Sequence, residues 1–255
     1  MGVTPIAPCG ALLRPAGRIP ADSPSLHEGT PMQIDPSAPA DKPETQQMIV
    51  IHKALRREFG LLPGIVGKVA GGDTARAGVV ADHTKLTLRF LHEHHESEDR
   101  LLWPVLEQRV PLERSLVETM EAQHTVVADL IASLEAELAA WQADASAAAR
   151  DRITGLLTRL DAALAEHLDA EETSVLPLIH DNLTVAEWDA PVKDAASNMP
   201  KDLRSRLMLA GMVIESATDR ERVWFLNELP APARLLWKLA GIRMYGRYVR
   251  TVRGA

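Results

Sequence analysis

Between Glu44 and about Leu183, apolar residues recur three and four positions apart, which is the spacing of one face of an α-helix. The pattern predicts four amphipathic helices of roughly 20 to 30 residues each, and no stretch shows the strict alternation of a β-strand. We expect breaks between helices at Pro63-Gly64, Gly71-Gly72 and Pro111. Four such helices with short connections predict an all-α protein built as an antiparallel up-down four-helix bundle.

Two segments flank this predicted bundle. Residues 1–43 hold nine of the 17 prolines and show no helical or strand period, so we expect a disordered tail, within which Met32 is an alternative start. The tail also lacks the apolar core of a secretory signal. Residues 184–255 contain helical patches separated by prolines and predict a C-terminal helical extension. The expected domains are therefore 1–43, 44–183 and 184–255.

The last predicted helix, from Ala233 to Val252, is basic and amphipathic. Residues 230–255 carry six Lys and Arg residues and no acidic residue. Such a helix can lie on an anionic membrane surface. We favour the simpler interpretation, in which it packs on its own bundle and exposes its arginines to solvent.

Composition narrows the function classes. The formal net charge of -7 argues against nucleic-acid binding, which needs a basic face. The single cysteine, Cys9, excludes an intramolecular disulfide and any cysteine-rich zinc or iron–sulfur site, and it suits a reducing cytoplasm, where we expect the protein. No apolar run approaches the ~20 residues that span a bilayer. The chain has nine histidines, nearly as many as its aromatic residues, so their positions need an explanation.

The chain repeats itself at an offset of 72 to 73 residues, and the repeat carries histidines. In each half, a helix with a lone histidine is followed by a helix with the motif H-x-x-x-E, a further acidic residue, and a proline ten positions after the histidine. The repeated residues are His52 and His124, and the pairs His94/Glu98 and His167/Glu171. A match of this length is hard to obtain by chance.

Helical geometry indicates which of these side chains face the core. Residues four apart lie about 40° from each other around a helix, so each repeated His–Glu pair shares the apolar face of its helix. Two other pairs have the same spacing, His92/Glu96 and His95/Asp99. The repeat and the apolar face both select His94/Glu98, and we interpret the two rejected pairs as surface charge.

Four histidines and two carboxylates on core faces predict a metal centre. A buried carboxylate costs several kcal/mol unless it is paired or metal-bound, and Arg56 is the only obvious basic partner. Imidazole and carboxylate donors without thiolate suit iron, zinc or manganese. A pseudo-twofold set of six donors suits two metals bridged by the two carboxylates, with open positions for a small ligand. The predicted metal ligands are His52, His94, Glu98, His124, His167 and Glu171.

This pattern resembles that of hemerythrin-like (HHE cation-binding) domains over about residues 44–183. The motif surroundings agree as well: Glu98-Asp99 with Leu102-Trp103-Pro104, and Glu171-Glu172 with Leu176-Pro177. Residues 229–237 look like the C-terminal extensions of bacterial members. The resemblance implies two iron ions with an oxo or hydroxo bridge. It places His52 and His94 on one iron and His124 and His167 on the other, with Glu98 and Glu171 bridging.

Two departures from the oxygen-carrying hemerythrins bear on function. Those proteins have a fifth histidine at the position of Ala128, and their last carboxylate comes five residues after its histidine, where this chain has Glu172. Helical geometry favours Glu171 instead. The missing imidazole argues against reversible oxygen carriage. His95 is a further candidate ligand, since a Glu at the matching position contributes in the related domain of an iron-sensing ubiquitin-ligase subunit. We favour a place beside the ligands or at the surface.

The predicted function is a non-haem di-iron protein that reacts with or senses a small oxidant, namely O₂, NO or H₂O₂. The alternatives are an enzyme that decomposes peroxide, and a protein for iron storage or iron-centre repair. No nucleophile–base pair or phosphate-binding loop is evident in the sequence, so we assign no catalytic side chain. A ferritin-like enzyme needs two E-x-x-H motifs and two more glutamates. Near the predicted core only Glu121-x-x-His124 has that form.

Overall fold

The structure is a computed structural model that describes residues 33–254, and all regular secondary structure within that range is helical. The α-helices are α1 (Gln46–Gly67), α2 (Thr74–Leu101), α3 (Trp103–Arg109), α4 (Arg114–Asp144), α5 (Ala147–Ala170), α6 (Leu176–Asn182), α7 (Val185–Asn198), α8 (Leu203–Ser216), α9 (Asp219–Glu228), α10 (Ala231–Leu236) and α11 (Ile242–Arg253). A 3₁₀ turn (Pro111–Glu113) precedes α4, and π-helical turns follow α5 (Glu171–Val175) and α10 (Trp237–Gly241). The predicted all-α class is confirmed.

The four long helices α1, α2, α4 and α5 form a closed ring of neighbours, because α1 and α4 each contact both α2 and α5. Between α1 and the end of α5, His52 meets Glu172 while Gly60 lies beside Asp161, so residue numbers rise in one helix as they fall in the other. Between α1 and α2, His52 meets His94 and Glu58 meets His83. Between α2 and α4, Asp99 meets His124 and Asp82 meets Gln142. Between α4 and α5, His124 meets His167 and Glu137 meets Arg152. All four neighbouring pairs therefore run antiparallel.

The predicted break at Pro63-Gly64 is wrong, because α1 continues through Pro63 to Gly67. A proline inside a helix removes one backbone hydrogen bond and costs about 3 kcal/mol. Leu62, Ile65 and Val66 are all buried around it, and burying side chains of this kind stabilises by about 1.5–3 kcal/mol each. Packing therefore outweighs the break. The breaks at Gly71-Gly72 and Pro111 are confirmed, and Gly72 has a positive φ of 83°.

Residues 33–43 follow a defined path, although we expected disorder throughout 1–43. Residues 33–43 form turns, and the side chain of Ile34 is buried in the core. The backbone N–H of Asp35 donates to Glu44 Oε1 at 2.6 Å, and the carbonyl oxygen of Pro43 lies 3.0 Å from His180 Nδ1. The rest of the predicted tail, including Cys9, lies outside the described residues.

The C-terminal helices pack on the α1–α2 side of the ring. Helix α7 contacts α2, α8 contacts α1 and α2, and α11 contacts α8 and α2. Tyr245 in α11 donates a hydrogen bond to Glu215 at 2.6 Å, and Arg253 forms an ion pair with the same carboxylate at 2.7 Å. The last helix thus lies against its own chain. Across residues 33–254, no helix is long and apolar enough to cross a membrane.

Candidate metal centre

The candidate ligands form a buried polar layer between two apolar clusters. Each of the four long helices contributes residues to one cluster on one side of its candidate ligand histidine. On the other side of the histidine, the helix or the residues just after its end belong to the second cluster. Members of the larger cluster are Leu55, Leu91, Leu134 and Leu164, and members of the smaller cluster are Met48, Leu102, Met120 and Val175. The layer is therefore sealed above and below by apolar side chains that limit the access of water.

Two pairs of imidazoles face each other inside this layer. The Nε2 atoms of His52 and His94 are 3.2 Å apart, and those of His124 and His167 are 3.1 Å apart. All four histidines are buried. These are the pairs that the resemblance assigns to one metal each, so the structure brings the predicted partners together.

The two glutamates lie between the histidine pairs. Glu171 Oε2 is 3.3 Å from His52 Nε2 and 3.8 Å from His167 Nε2. Glu98 lies 3.5 Å from His94 Nδ1 and 3.6 Å from His124 Nε2. Each carboxylate therefore lies within 4 Å of one histidine of each pair.

The glutamate oxygens give a direct test of whether a metal fits. All four carboxylate oxygens of Glu98 and Glu171 are buried and accept no hydrogen bond from the described part of the chain. Within the same part, neither side chain has a Lys or Arg partner. Arg56, the basic partner that the sequence suggested, pairs with Asp169 and Glu172 instead. Buried polar atoms are nearly always satisfied, so this arrangement matches carboxylates placed to bind cations.

A second set of acceptors orients the ligand histidines. Glu172 Oε1 lies 2.9 Å from His52 Nδ1, and Asp99 Oδ1 lies 2.6 Å from His124 Nδ1. The indole N–H of Trp103 donates to the same Asp99 oxygen at 3.0 Å. Such acceptors fix the ring tautomer and leave Nε2 free for a metal. Glu172 thus faces the outer side of His52, while Glu171 faces the centre.

The interpretation of His95/Asp99 as surface charge is wrong for His95, which is buried with its ring stacked on that of His124. Asp99 is exposed, as expected, but it also accepts a hydrogen bond from His124. The other rejected pair matches expectation better, because Glu96 is exposed and His92 is half-buried. The signal for Asp99 was present in the repeat, which places an acidic residue after both ligand glutamates.

The prolines of the repeat lie in the first turn of the helix that follows each candidate His–Glu pair. In the first half, α2 ends at Leu101, and Pro104 occupies the first turn of α3. In the second half, α5 passes into the π-helical turn Glu171–Val175, and Pro177 opens α6. Proline cannot donate a backbone hydrogen bond, and π-turns often occur at functional sites. The backbone before the repeated proline therefore differs between the two halves: α2 ends in the first half, and a π-helical turn forms in the second.

Burial and contacts between neighbouring groups together set the ionisation of the cluster. Burial alone would lower the pKa of His52, but contacts with Glu171 and Glu172 outweigh it and raise that pKa. Burial lowers the pKa of His94 and His95 well below the usual value and that of His167 to about 4, so these rings are neutral at pH 7. Burial and the neighbouring Glu171 raise the pKa of Glu98 well above its usual value. Burial also opposes ionisation of Glu171, but contacts with nearby histidines outweigh it and lower that pKa to about 2. Neutral imidazoles are the form that binds metals.

The donor atoms fall into two groups whose members are close enough to share an ion. One group contains His52, His94 and Glu171, and the other contains His95, Glu98, His124 and His167. One donor atom from each member lies within 4.8 Å of the others in its group, and every member is buried. All six predicted ligands are present in these groups, and imidazole with carboxylate suits iron, zinc or manganese.

Comparison with known proteins agrees with this geometry. A search of curated proteins and a search of solved structures find no significant match. The family model described as Hemerythrin HHE cation binding domain matches residues 45–179. This range begins before α1 and ends within α6, and it contains all six predicted ligands. Because the match covers more than half of the sequence, the chain belongs to the hemerythrin HHE cation-binding domain family.

Proposed function

We propose that the protein holds two iron ions inside an up-down four-helix bundle of the hemerythrin type. One iron is bound by His52 and His94, and the other by His124 and His167. Glu98 and Glu171 bridge the two ions. The observation that carries this proposal is the position of the two glutamates. Each lies in contact with one histidine of each pair, and within residues 33–254 neither carboxylate accepts a hydrogen bond.

The proposed activity is reaction with, or sensing of, a small oxidant such as O₂, NO or H₂O₂. The metal pair supplies the redox chemistry and the open positions for such a ligand. Burial keeps His94 and His167 neutral, Asp99 and Glu172 orient two of the imidazoles, and the apolar clusters on either side exclude water. This division of roles fits a centre with no assigned catalytic side chain.

The first experiment measures metal content. Protein purified from iron-replete cells should contain about two irons per chain and show the near-ultraviolet absorption of a bridged diferric centre. A well-folded protein that is purified from iron-replete cells and lacks both properties would defeat the proposal. Stoichiometric zinc or manganese in place of iron would support the metal site but contradict iron as its metal.

A second experiment separates the function classes. The diferrous protein is prepared anaerobically and exposed to O₂, NO and H₂O₂ in turn. A stable and reversible adduct indicates a sensor or carrier. Many turnovers of H₂O₂ with oxygen evolution indicate a peroxide-decomposing enzyme, and transfer of iron to an acceptor without either reaction indicates storage or repair.

A further inference from the structure

His95 is a buried histidine that is not among the six proposed ligands and has no role in the proposed function. Only 5% of its surface is exposed, and its Nε2 atom is buried without a hydrogen-bond partner in residues 33–254. The ring stacks on His124 with centroids 4.0 Å apart and planes 8° apart. It also meets the ring of His167 edge-on, with centroids 4.9 Å apart. A core histidine that serves packing alone normally satisfies its ring nitrogens.

We infer that His95 is a fifth imidazole ligand and that it makes the two metal positions unequal. The inference rests on the proposed two-metal centre. A donor atom of His95 lies within 4.8 Å of donor atoms of Glu98, His124 and His167. With both glutamates bridging, the position of His124 and His167 has three imidazoles, and the position of His52 and His94 has two.

The source of this imidazole is a different helix from the one the family resemblance indicates. Ala128, where the oxygen-carrying hemerythrins have their fifth histidine, lies on α4 and is exposed. His95 lies on α2, which packs against α4, and it reaches the same metal position across the face of His124. The chain thus regains from the neighbouring helix the donor that α4 lacks.

Unequal ligand sets direct a small ligand to one side of the centre. The position held by His52 and His94 has one protein donor fewer, so it retains one more coordination position. We expect azide, used as a probe, to bind the diferric protein in a ratio of one azide per two irons. Removal of His95 opens a position on the other iron and should raise that ratio.

The test uses three variants of the full chain. His95→Phe retains an aromatic ring that can stack on His124 but removes both nitrogens, and His95→Ala removes the ring. His92→Ala is the matched control, because His92 lies on the same helix, is half-buried and belongs to neither donor group. Anaerobic Fe²⁺ titration gives the affinity for each iron, and Mössbauer spectra of the diferrous protein report whether the two irons differ.

We expect the wild type and His92→Ala to bind two irons with two unequal quadrupole doublets. His95→Phe and His95→Ala should bind one iron at least about tenfold more weakly, because loss of a partner that merely orients a ligand already costs about 10- to 100-fold. Their doublets should converge. If His95→Phe retains wild-type affinities and unequal doublets, or if His92→Ala shows the same loss, the inference is wrong. A wild type without two irons would instead overturn the proposed function.

Discussion

At the scale of single residues, the acidic residues that follow Glu98 and Glu171 each contact a histidine of the candidate centre. Asp99 and Glu172 each follow a ligand glutamate in the repeat, and each accepts from the Nδ1 of the lone histidine in the other half. Donation by Nδ1 leaves the lone pair of Nε2 directed at the centre. The internal repeat therefore places both a ligand and an orienting residue in each half of the chain.

Removing one of these acceptors should weaken the metal site without unfolding the protein. We expect Asp99→Ala to lower the affinity for one iron by about 10- to 100-fold, and Asp99→Asn to have a smaller effect because the amide oxygen still accepts from Nδ1. Competition with a chromophoric chelator measures the change. Glu96→Ala is the control, since Glu96 is exposed on the same helix. Equal losses in Asp99→Ala and Glu96→Ala would remove the orienting role.

Glu98→Leu should have opposite effects on the metal-free and the iron-loaded protein. The substitution removes two buried oxygens that accept no hydrogen bond from the described residues, and leaving such groups buried costs about 1–3 kcal/mol. The metal-free variant should therefore be at least as stable as the metal-free wild type. Iron at a hundredfold excess over its dissociation constant stabilises by about 2.7 kcal/mol, and the variant should lose most of this gain. Urea unfolding with chelator and with Fe²⁺ measures both quantities; an undiminished gain would exclude Glu98 as a ligand.

The repeat and the helical period together select the six predicted ligand residues. They predict neither the burial of His95 nor the contact of Asp99 with His124. An angular count around one helix assumes a single direction toward the core. Helix α2 contacts α1 on one side and α4 on another, so a residue about 100° from His94 is also buried. The direction of the second neighbour is a property of the assembled ring, which the sequence of one helix does not contain.

At the scale of elements, the last helix depends on one glycine for its close approach to α8. A Cβ atom built on Gly211 would overlap Cδ2 of Tyr245, whose ring is part of the buried face of α11. Even the smallest side chain at 211 must therefore push the two helices apart. Nothing in the apolar period of α8 predicts this crossing point, because Gly211 is one small residue within an apolar run.

We expect Gly211→Ala to destabilise the protein by about 1–3 kcal/mol, the usual cost of overpacking a core. Gly155→Ala is the matched control, because a Cβ at this exposed helical position meets nothing within 4 Å. It should stabilise by about 0.5–1 kcal/mol, since alanine is the better helix former. Urea unfolding of both variants measures the difference. Equal shifts in the two variants would contradict the close contact with Tyr245.

At the scale of the whole molecule, a buried charge network joins the last helix, α11, to α1 and α2 in addition to apolar packing. Glu58 of α1 is 1% exposed and lies 3.3 Å from His83 and 3.5 Å from Arg253, and it also contacts Arg57. The hydroxyl of Tyr248 lies 2.7 Å from the other ring nitrogen of His83. Apart from Arg57–Glu58, these contacts join residues far apart in sequence, so no local pattern could predict them.

The network should make the stability of the molecule sensitive to acid. Burial alone would raise the pKa of Glu58, but contacts with His83 and Arg57 outweigh it and lower the pKa from 4.5 to about 2. A lowered folded-state pKa stabilises the protein fully above pH 4.5, and that contribution is lost as the pH falls from 4.5 through about 2. A depression of this size corresponds to about 3 kcal/mol.

Glu58→Gln tests this contribution, because glutamine keeps the size of the side chain and removes its charge. Measured by urea unfolding of metal-free protein, the variant should be less stable than the wild type at pH 7 by about 1–3 kcal/mol. The difference should shrink as the pH approaches 2, because the wild-type carboxyl then also becomes neutral. The comparison at each pH cancels the titration of Glu98 and Glu171, which both proteins share. A difference that stays constant between pH 7 and pH 2.5 would mean that Glu58 contributes through its shape and not through its charge.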